Sequence, residues 1–348
     1  MTRVRAAIVG LGGISFEHLA KLQRLPIAEI VGICDLSETL AGAVSERFGV
    51  RSVFTRFDEM LTEARPDVVH VLTPPQSHRE LVLQALERGM HVVVEKPIAP
   101  RWEDYVEMRD AARDRGLLLI ENYNWRFANV VRRALELKHT GRLGEVVNVE
   151  VSFGGVMQDP SDPLGDRDIA HFAHALPGGA LQNFATHPIS LALAFMDGFT
   201  GVATWQRKLD PDWLSSDELK ALLTAERSSG VIAVTRHAQP AHFTLAVRGT
   251  AGTIEVDLYN ARLHVDAAGS GTVKVTNGLR HGMNYLAATA ALVANTATSR
   301  HDHFEGLQTL LAEFYGAVAT NGPSPIPISE IDRVNEVVRE LFAAENQL

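Results

Sequence analysis

Cysteine is almost missing from this 348-residue chain. Cys34 stands alone, so the sequence can build neither an internal disulfide nor a cysteine-based zinc site. A reduced, cytoplasmic setting is the expectation that follows. Long apolar runs are missing too. None approaches the roughly 18 residues of a membrane span. The amino-terminal stretch MTRVRAAIVGLGG carries only about five apolar residues before glycines interrupt it, too few for a secretory signal. Basic charge is in deficit, with 33 Lys and Arg against 42 Asp and Glu and a net charge of −9. That balance excludes a basic stripe for nucleic-acid phosphates and disfavours an anionic membrane surface. No internal repeat or low-complexity tract is present. What the chain does have is a hydrophobic content of 46% and a length suited to about two domains.

The first part alternates short apolar runs with helical patterns. AAIVGL, EIVGICD, VVHVLTP, HVVVEKP and LLLIENYN read as buried strands, with amphipathic helices such as SFEHLAKLQRL and SHRELVLQALERG between them. Strands buried on both faces and separated by helices predict an α/β, doubly wound parallel sheet over residues 1–124. From 125 to 348 the pattern changes. GEVVNVEVSFGG alternates like a half-buried strand, and further strands are expected at 202–209, 230–237, 242–248, 252–257 and 261–265. This predicts an α+β second domain with a large open, mostly antiparallel sheet. Helices are expected near 282–297, 303–321 and 329–345, the last packing back on one of the domains.

Chemistry enters at VGLGGIS. Gly10, Gly12, Gly13, Ile14 and Ser15 lie between the first strand and the first helix, matching G-x-G-x-x-G/A with Ser15 at the last position. Such a turn brings backbone close to a pyrophosphate, which meets the free N–H groups and positive dipole end of the helix. The second strand ends in Asp35, about 20 residues beyond the motif, where an acid hydrogen-bonds the ribose 2′-hydroxyl of NAD and repels a 2′-phosphate. NAD is therefore expected over NADP. Asp35 also reads as an acid ahead of the next helix, with Ser37 as its cap. At the end of the fifth strand stand Glu95, Lys96 and Pro97. A charged pair there falls at the ligand crevice of a parallel sheet, although a solvated ion pair is the bland alternative.

The order GLGGIS, ICDLS, TPPQSH, EKPIA, NYNWRF, GRLGEVVNVEVSF, GGALQNFATH and VRGTAGTIEVD resembles the Gfo/Idh/MocA oxidoreductases over nearly the whole chain. The resemblance implies a Rossmann domain followed by a substrate domain whose sheet forms a homodimer or homotetramer. It also implies NAD(P)-dependent hydride transfer to or from a sugar, cyclitol or related polyol. By position, Gly10, Gly12, Gly13, Ile14 and Asp35 resemble the adenosine and pyrophosphate contacts. Thr73, Pro74, Pro75 and His78 resemble contacts to the nicotinamide half. Glu95, Lys96 and Asn122 resemble residues around the nicotinamide and its ribose, and Arg126 resembles an arginine near the substrate.

The family's active members commonly carry Asp-x-x-x-His on one helix; here the positions are Asn183 and His187, one turn apart. The resemblance makes His187 the acid/base, Lys96 the electrophilic partner and Asn183 a hydrogen-bonding positioner. An amide supplies no negative charge, so a regulator that senses NAD and sugar without turnover is the alternative, together with NADPH-dependent reduction of a keto-sugar. Pro188 removes a hydrogen bond from that helix. His171 and His174 lack a third ligand at metal spacing and read as part of a pocket loop, so no metal is expected. Arg167 is a candidate substrate contact in the loop 158–168. Tyr285 reads equally as a pocket or packing residue, and the remaining histidines read as structural.

Overall fold

The computed structural model describes residues 3–156, 171–209, 216–268 and 304–343, with scattered helical positions between 272 and 290. It divides into two compact units, Met1–Asn124 with Leu307–Asn335, and Trp125–Gly306 with Glu336–Leu348. The sequence reading kept 125–348 together apart from a last helix, whereas 307–335 group with the first unit. Among the described residues no helix is long and apolar enough to cross a membrane.

The first unit is a parallel sheet of β1 (Val4–Val9), β2 (Ala28–Cys34), β3 (Val53–Phe54), β4 (Val68–Val71), β5 (His91–Val94) and β6 (Leu119–Glu121). The spatial order is β3-β2-β1-β4-β5-β6, every pair parallel. This is the doubly wound arrangement the buried apolar runs predict. Its order reverses between β1 and β4, so the carboxyl ends of those strands border the crevice where such sheets take ligands. Five helices alternate with the strands: α1 (Gly13–Gln23), α2 (Glu38–Phe48), α3 (Phe57–Ala64), α4 (His78–Glu87) and α5 (Trp102–Asp114). α2 shows how locally they are specified. The Ser37 hydroxyl accepts from Leu40 N–H at its start, and Gly49 ends it at φ 68°.

The second unit opens with α6 (Asn129–His139) and carries a sheet of β7 (Val146–Val156), β8 (Gly201–Arg207), β9 (Glu218–Thr224), β10 (Ser229–Thr235), β11 (His237–Gly249), β12 (Gly252–Asp257) and β13 (Arg262–Ala267). The order is β13-β12-β11-β7-β10-β9-β8. Only β7 and β10 run parallel; the other pairs are antiparallel. The sequence reading lacked β9. Its ELKALLT is rich in helix formers, yet Leu219, Ala221 and Leu223 alternate inward with period 2, and burial overrides propensity. The inner face, including Val149, Val151, Leu219, Ile232, Val234, Phe243 and Leu245, is fully buried. Against it, on β7 and β10, lies α7 (Gly179–Phe195). α7 runs through Pro188 without ending, and its mostly buried circumference matches its long apolar composition. After the sheet come α8 (Glu305–Thr320) and α9 (Ile328–Leu341).

Candidate active site

The cofactor end of the first unit begins at Gly10, with φ +87°. A Cβ there would lie 2.7 Å from the backbone of Leu72 and Thr73, so only glycine lets the turn close on the end of β4. Gly12 precedes α1 and gives it no side-chain cap. Added Cβ atoms on Gly12 or Gly13 would meet nothing within 4 Å. The start of α1 thus has open space beside its glycine backbone, which fits a pyrophosphate at a helix N-terminus. Ser15, fully buried, donates its hydroxyl to Gly12 O at 2.7 Å and fills the motif's third small position. Ile14 is half-buried in the first turn.

Asp35 follows β2. Oδ2 accepts from Leu11 N–H at 2.8 Å and Oδ1 from Ser37 N–H at 2.9 Å. The carboxylate is thus pinned between the glycine turn and α2, with lone pairs left for a ribose diol. The contact with Ser37 N–H is the helix-start arrangement the alternative reading of Asp35 expects. Thr73, Pro74 and Pro75 form the loop after β4. His78 is fully buried, with Nε2 2.7 Å from Thr73 O and Nδ1 3.0 Å from Ile98 O. It joins that loop to the one after β5 instead of pointing outward. Burial lowers its pKa and the two carbonyls oppose the change.

At the end of β5 the Glu95 carboxylate is nearly enclosed. Oε1 accepts from Asn122 Nδ2 at 2.6 Å and meets His18 Nε2 at 3.1 Å, while Oε2 accepts from Lys96 N–H at 3.3 Å. Burial raises its pKa, but His18, Asn122 and Lys96 outweigh burial and hold it at about 2. The Lys96–Pro97 peptide is cis. Burial lowers the Lys96 ammonium, against Glu95 and Glu121, which pull it back up. Asn122 is 2% exposed, and its Oδ1 has no hydrogen-bond partner among the described residues. Next to it Glu121 is fully buried, accepting from Ile98 N–H, the Tyr123 hydroxyl and Asn335 Nδ2. Burial pushes Glu121 up to about 7 against those three donors.

In the second unit Asn183 is buried and His187 half-buried on α7. The helix start is tied by Gly178 N–H donating to Gln182 Oε1 at 2.9 Å, and the Ser190 hydroxyl donates to His187 O at 2.9 Å. Between the pair, Phe184 packs on Phe153, ring centroids 5.8 Å apart, with the Arg236 guanidinium 4.2 Å over its face. Arg126 sits in the turn Asn124–Phe127. His171 accepts from Ala173 N–H and stacks on Phe172, in the apolar cluster with Leu176 and Ala180. Among the described residues no group of His, Cys, Asp and Glu could hold a metal. Tyr285 is half-exposed beneath Arg262, 5.1 Å from its guanidinium. Arg167 lies outside the described residues.

A family model described as the oxidoreductase family's NAD-binding Rossmann fold matches residues 4–123, and a GFO/IDH/MocA C-terminal domain model matches 131–255. The chain belongs to the Gfo/Idh/MocA family. Among curated relatives, D-glucoside 3-dehydrogenase of Escherichia coli is 37% identical over 144 residues, 41% of each chain. Levoglucosan dehydrogenase of Pseudarthrobacter phenanthrenivorans is 27% identical over 261 residues, 66% of this chain and 65% of that one. The matches thus span less than two-thirds of the length of these relatives. A solved levoglucosan dehydrogenase with NADH and levoglucosan has a TM-score of 0.82 at 19% identity, over 99% of this chain and 98% of that one. At that identity the likeness speaks for the fold.

Within this Gfo/Idh/MocA frame, the polar residues buried behind Glu95, His18 and His70 among them, are not singled out by any motif in the sequence. One signal was available. His70 interrupts the apolar strand VVHVL, and a histidine in a strand buried on both faces needs a polar partner. Arg236 had no such signal, because only the β10–β11 junction brings it onto Phe184.

Proposed function

We propose that this protein is an NAD-dependent dehydrogenase acting on a ring secondary alcohol of a sugar or related polyol. The observation that carries the reading is the glycine turn with Asp35 at the same end of the parallel sheet as Glu95, Lys96 and Asn122. NAD, when bound, supplies the hydride acceptor. His187 takes the hydroxyl proton as the carbonyl forms. Lys96 donates a hydrogen bond to the oxygen on which negative charge develops. Asn183 holds the substrate or His187 through its amide without adding charge. Arg126 and Arg167 belong to the same proposal as substrate contacts, and Thr73, Pro74 and Pro75 as the loop against the nicotinamide half.

The relatives' names narrow the substrate. D-glucoside 3-dehydrogenase, glucose-6-phosphate 3-dehydrogenase of Bacillus subtilis and a dTDP-sugar 3-reductase of Streptomyces violaceoruber all name position 3 of a hexose. Position 3 of a glucose-type ring is therefore the first candidate. Asp35 supports NAD over NADP. A homo-oligomer built through the seven-stranded sheet and a cytoplasmic setting complete the reading.

The test is a panel of glucosides, levoglucosan, hexose phosphates and cyclitols with NAD and NADP, followed by NADH absorbance and by NMR of the product. Formation of a 3-keto product with NAD supports the proposal. Tight NADH binding without turnover across the panel would favour the sensing alternative that Asn183 keeps open, and faster turnover with NADP would overturn the use of Asp35.

A further inference from the structure

Behind the Glu95 carboxylate lies a line of polar side chains sealed inside the first unit. His18, on α1, places Nε2 3.1 Å from Glu95 Oε1 and Nδ1 2.8 Å from His70 Nδ1. His70, within β4, places Nε2 2.8 Å from the Tyr315 hydroxyl of α8. His18, His70 and Tyr315 are each 0% exposed. Donor and acceptor roles follow from the ends of the line. An ionised carboxylate only accepts, so His18 Nε2 carries the proton facing Glu95. In a neutral ring His18 Nδ1 is then an acceptor, so His70 Nδ1 carries a proton and His70 Nε2 accepts from the Tyr315 hydroxyl. Every contact is satisfied with one charge, on Glu95. The reverse polarity turns His70 Nε2 into a donor and leaves the Tyr315 proton without an acceptor among the described residues, a buried unmet donor.

The same logic fixes Asn122. Because Glu95 cannot donate, the amide nitrogen must face it, and Oδ1 points the other way, buried and without a partner among the described residues. We propose that His18, His70 and Tyr315 form a one-way positioning chain that locks Glu95 and thereby presents Asn122 Oδ1 as a fixed acceptor for a hydroxyl or amide N–H of the bound cofactor. His18 is the positioning residue nearest the site. The charged groups that face the chain are Glu95, against His18 with Lys96 beside it, and Asp67, against Tyr315. Burial holds His70 well below the usual histidine range and Tyr315 well above the usual phenol range, in keeping with a neutral ring and a donor hydroxyl.

The proposal rests on the first unit binding NAD, and two readouts separate it from that reading. Histidine nitrogen NMR on the full chain, assigned with His18→Gln and His70→Gln, should show one neutral tautomer for each ring, Nε2–H for His18 and Nδ1–H for His70. The His70 tautomer should stay unchanged from about pH 5 to about pH 9, across the range where a free histidine titrates. An imidazolium at either ring, or averaged tautomers, overturns the chain. Tyr315→Phe removes only the first donor. It should let the His70 tautomers average and raise the NADH dissociation constant by about fivefold, the scale of one hydrogen bond. A Tyr315→Phe protein that melts earlier but binds NADH as the wild type does would leave the chain a purely structural role and overturn the proposal. A wild-type protein that does not bind NADH refutes the cofactor reading and the ligand named here, while the tautomers still decide the chain.

Discussion

At the scale of single residues, the proposed chemistry makes unequal demands on Lys96 and Asn183. Lys96 serves charge that develops only as the reaction proceeds, so its loss should fall on turnover. Lys96→Ala is expected to lower kcat/KM by about 10²–10³-fold, the cost of removing one preorganised donor. The NADH dissociation constant should stay within about fivefold of the wild type. Stopped-assay turnover and fluorescence titration measure the two effects separately; unchanged turnover would remove Lys96 from the mechanism. Asn183 tests the family's missing carboxylate. In Asn183→Asp a negative charge one helical turn from His187 favours the imidazolium and raises the histidine pKa. Oxidation needs the neutral ring, so the acid limb of the kcat/KM profile should move up by about one pH unit. A profile that does not move places Asn183 outside the proton-transfer step.

At the scale of elements, the ends of β5 and β6 place two buried carboxylates in successive positions of one site and drive them in opposite directions. Glu95 is held at about 2 and Glu121 at about 7. Glu121 therefore contributes stability that is full below its unfolded pKa near 4.5 and is lost as pH rises through about 7, an effect of about 3 kcal/mol. Glu95, with its depressed pKa, contributes fully above that unfolded value and does not vary from pH 5 upward. Buried His70 works the other way below the ordinary histidine range, but it is common to wild type and variant and cancels in their difference. In Glu121→Gln the fall in stability between about pH 5 and about pH 8 should be smaller by about 3 kcal/mol, read from hydrogen exchange of β5 and β6 amides. An unchanged slope would mean that Glu121 is ionised throughout. These elements also mark what sequence can carry. The glycine turn, Asp35 and the Glu95–Lys96 pair were legible because each lies beside a strand end in the chain itself. The His18–His70 and His70–Tyr315 contacts join residues 52 and 245 positions apart, and no local pattern encodes such partners. β9 was hidden for a different reason, its helix-forming composition masking a period-2 alternation.

At the scale of the whole molecule, the proposed homo-oligomer is a prediction about the outer face of the seven-stranded sheet. Ala203, Leu222 and Val231 face one another across β8, β9 and β10, and the next row is Trp205, Lys220 and Ala233. Trp205, Leu222 and Val231 are 37%, 46% and 37% exposed, large apolar side chains on the outward face of neighbouring strands. A symmetric pairing would bring this face against its own copy. Leu222→Lys places a like charge in both halves of that contact at once, and burying an unpaired ammonium is strongly unfavourable. Sedimentation velocity should therefore find the wild type as a dimer or larger and Leu222→Lys shifted towards monomer, with unchanged circular dichroism because Leu222 lies outside the buried core. If the wild type sediments as a monomer at assay concentrations, this face is not a self-association surface. If Leu222→Lys keeps the wild-type sedimentation coefficient, the oligomer is built through another face.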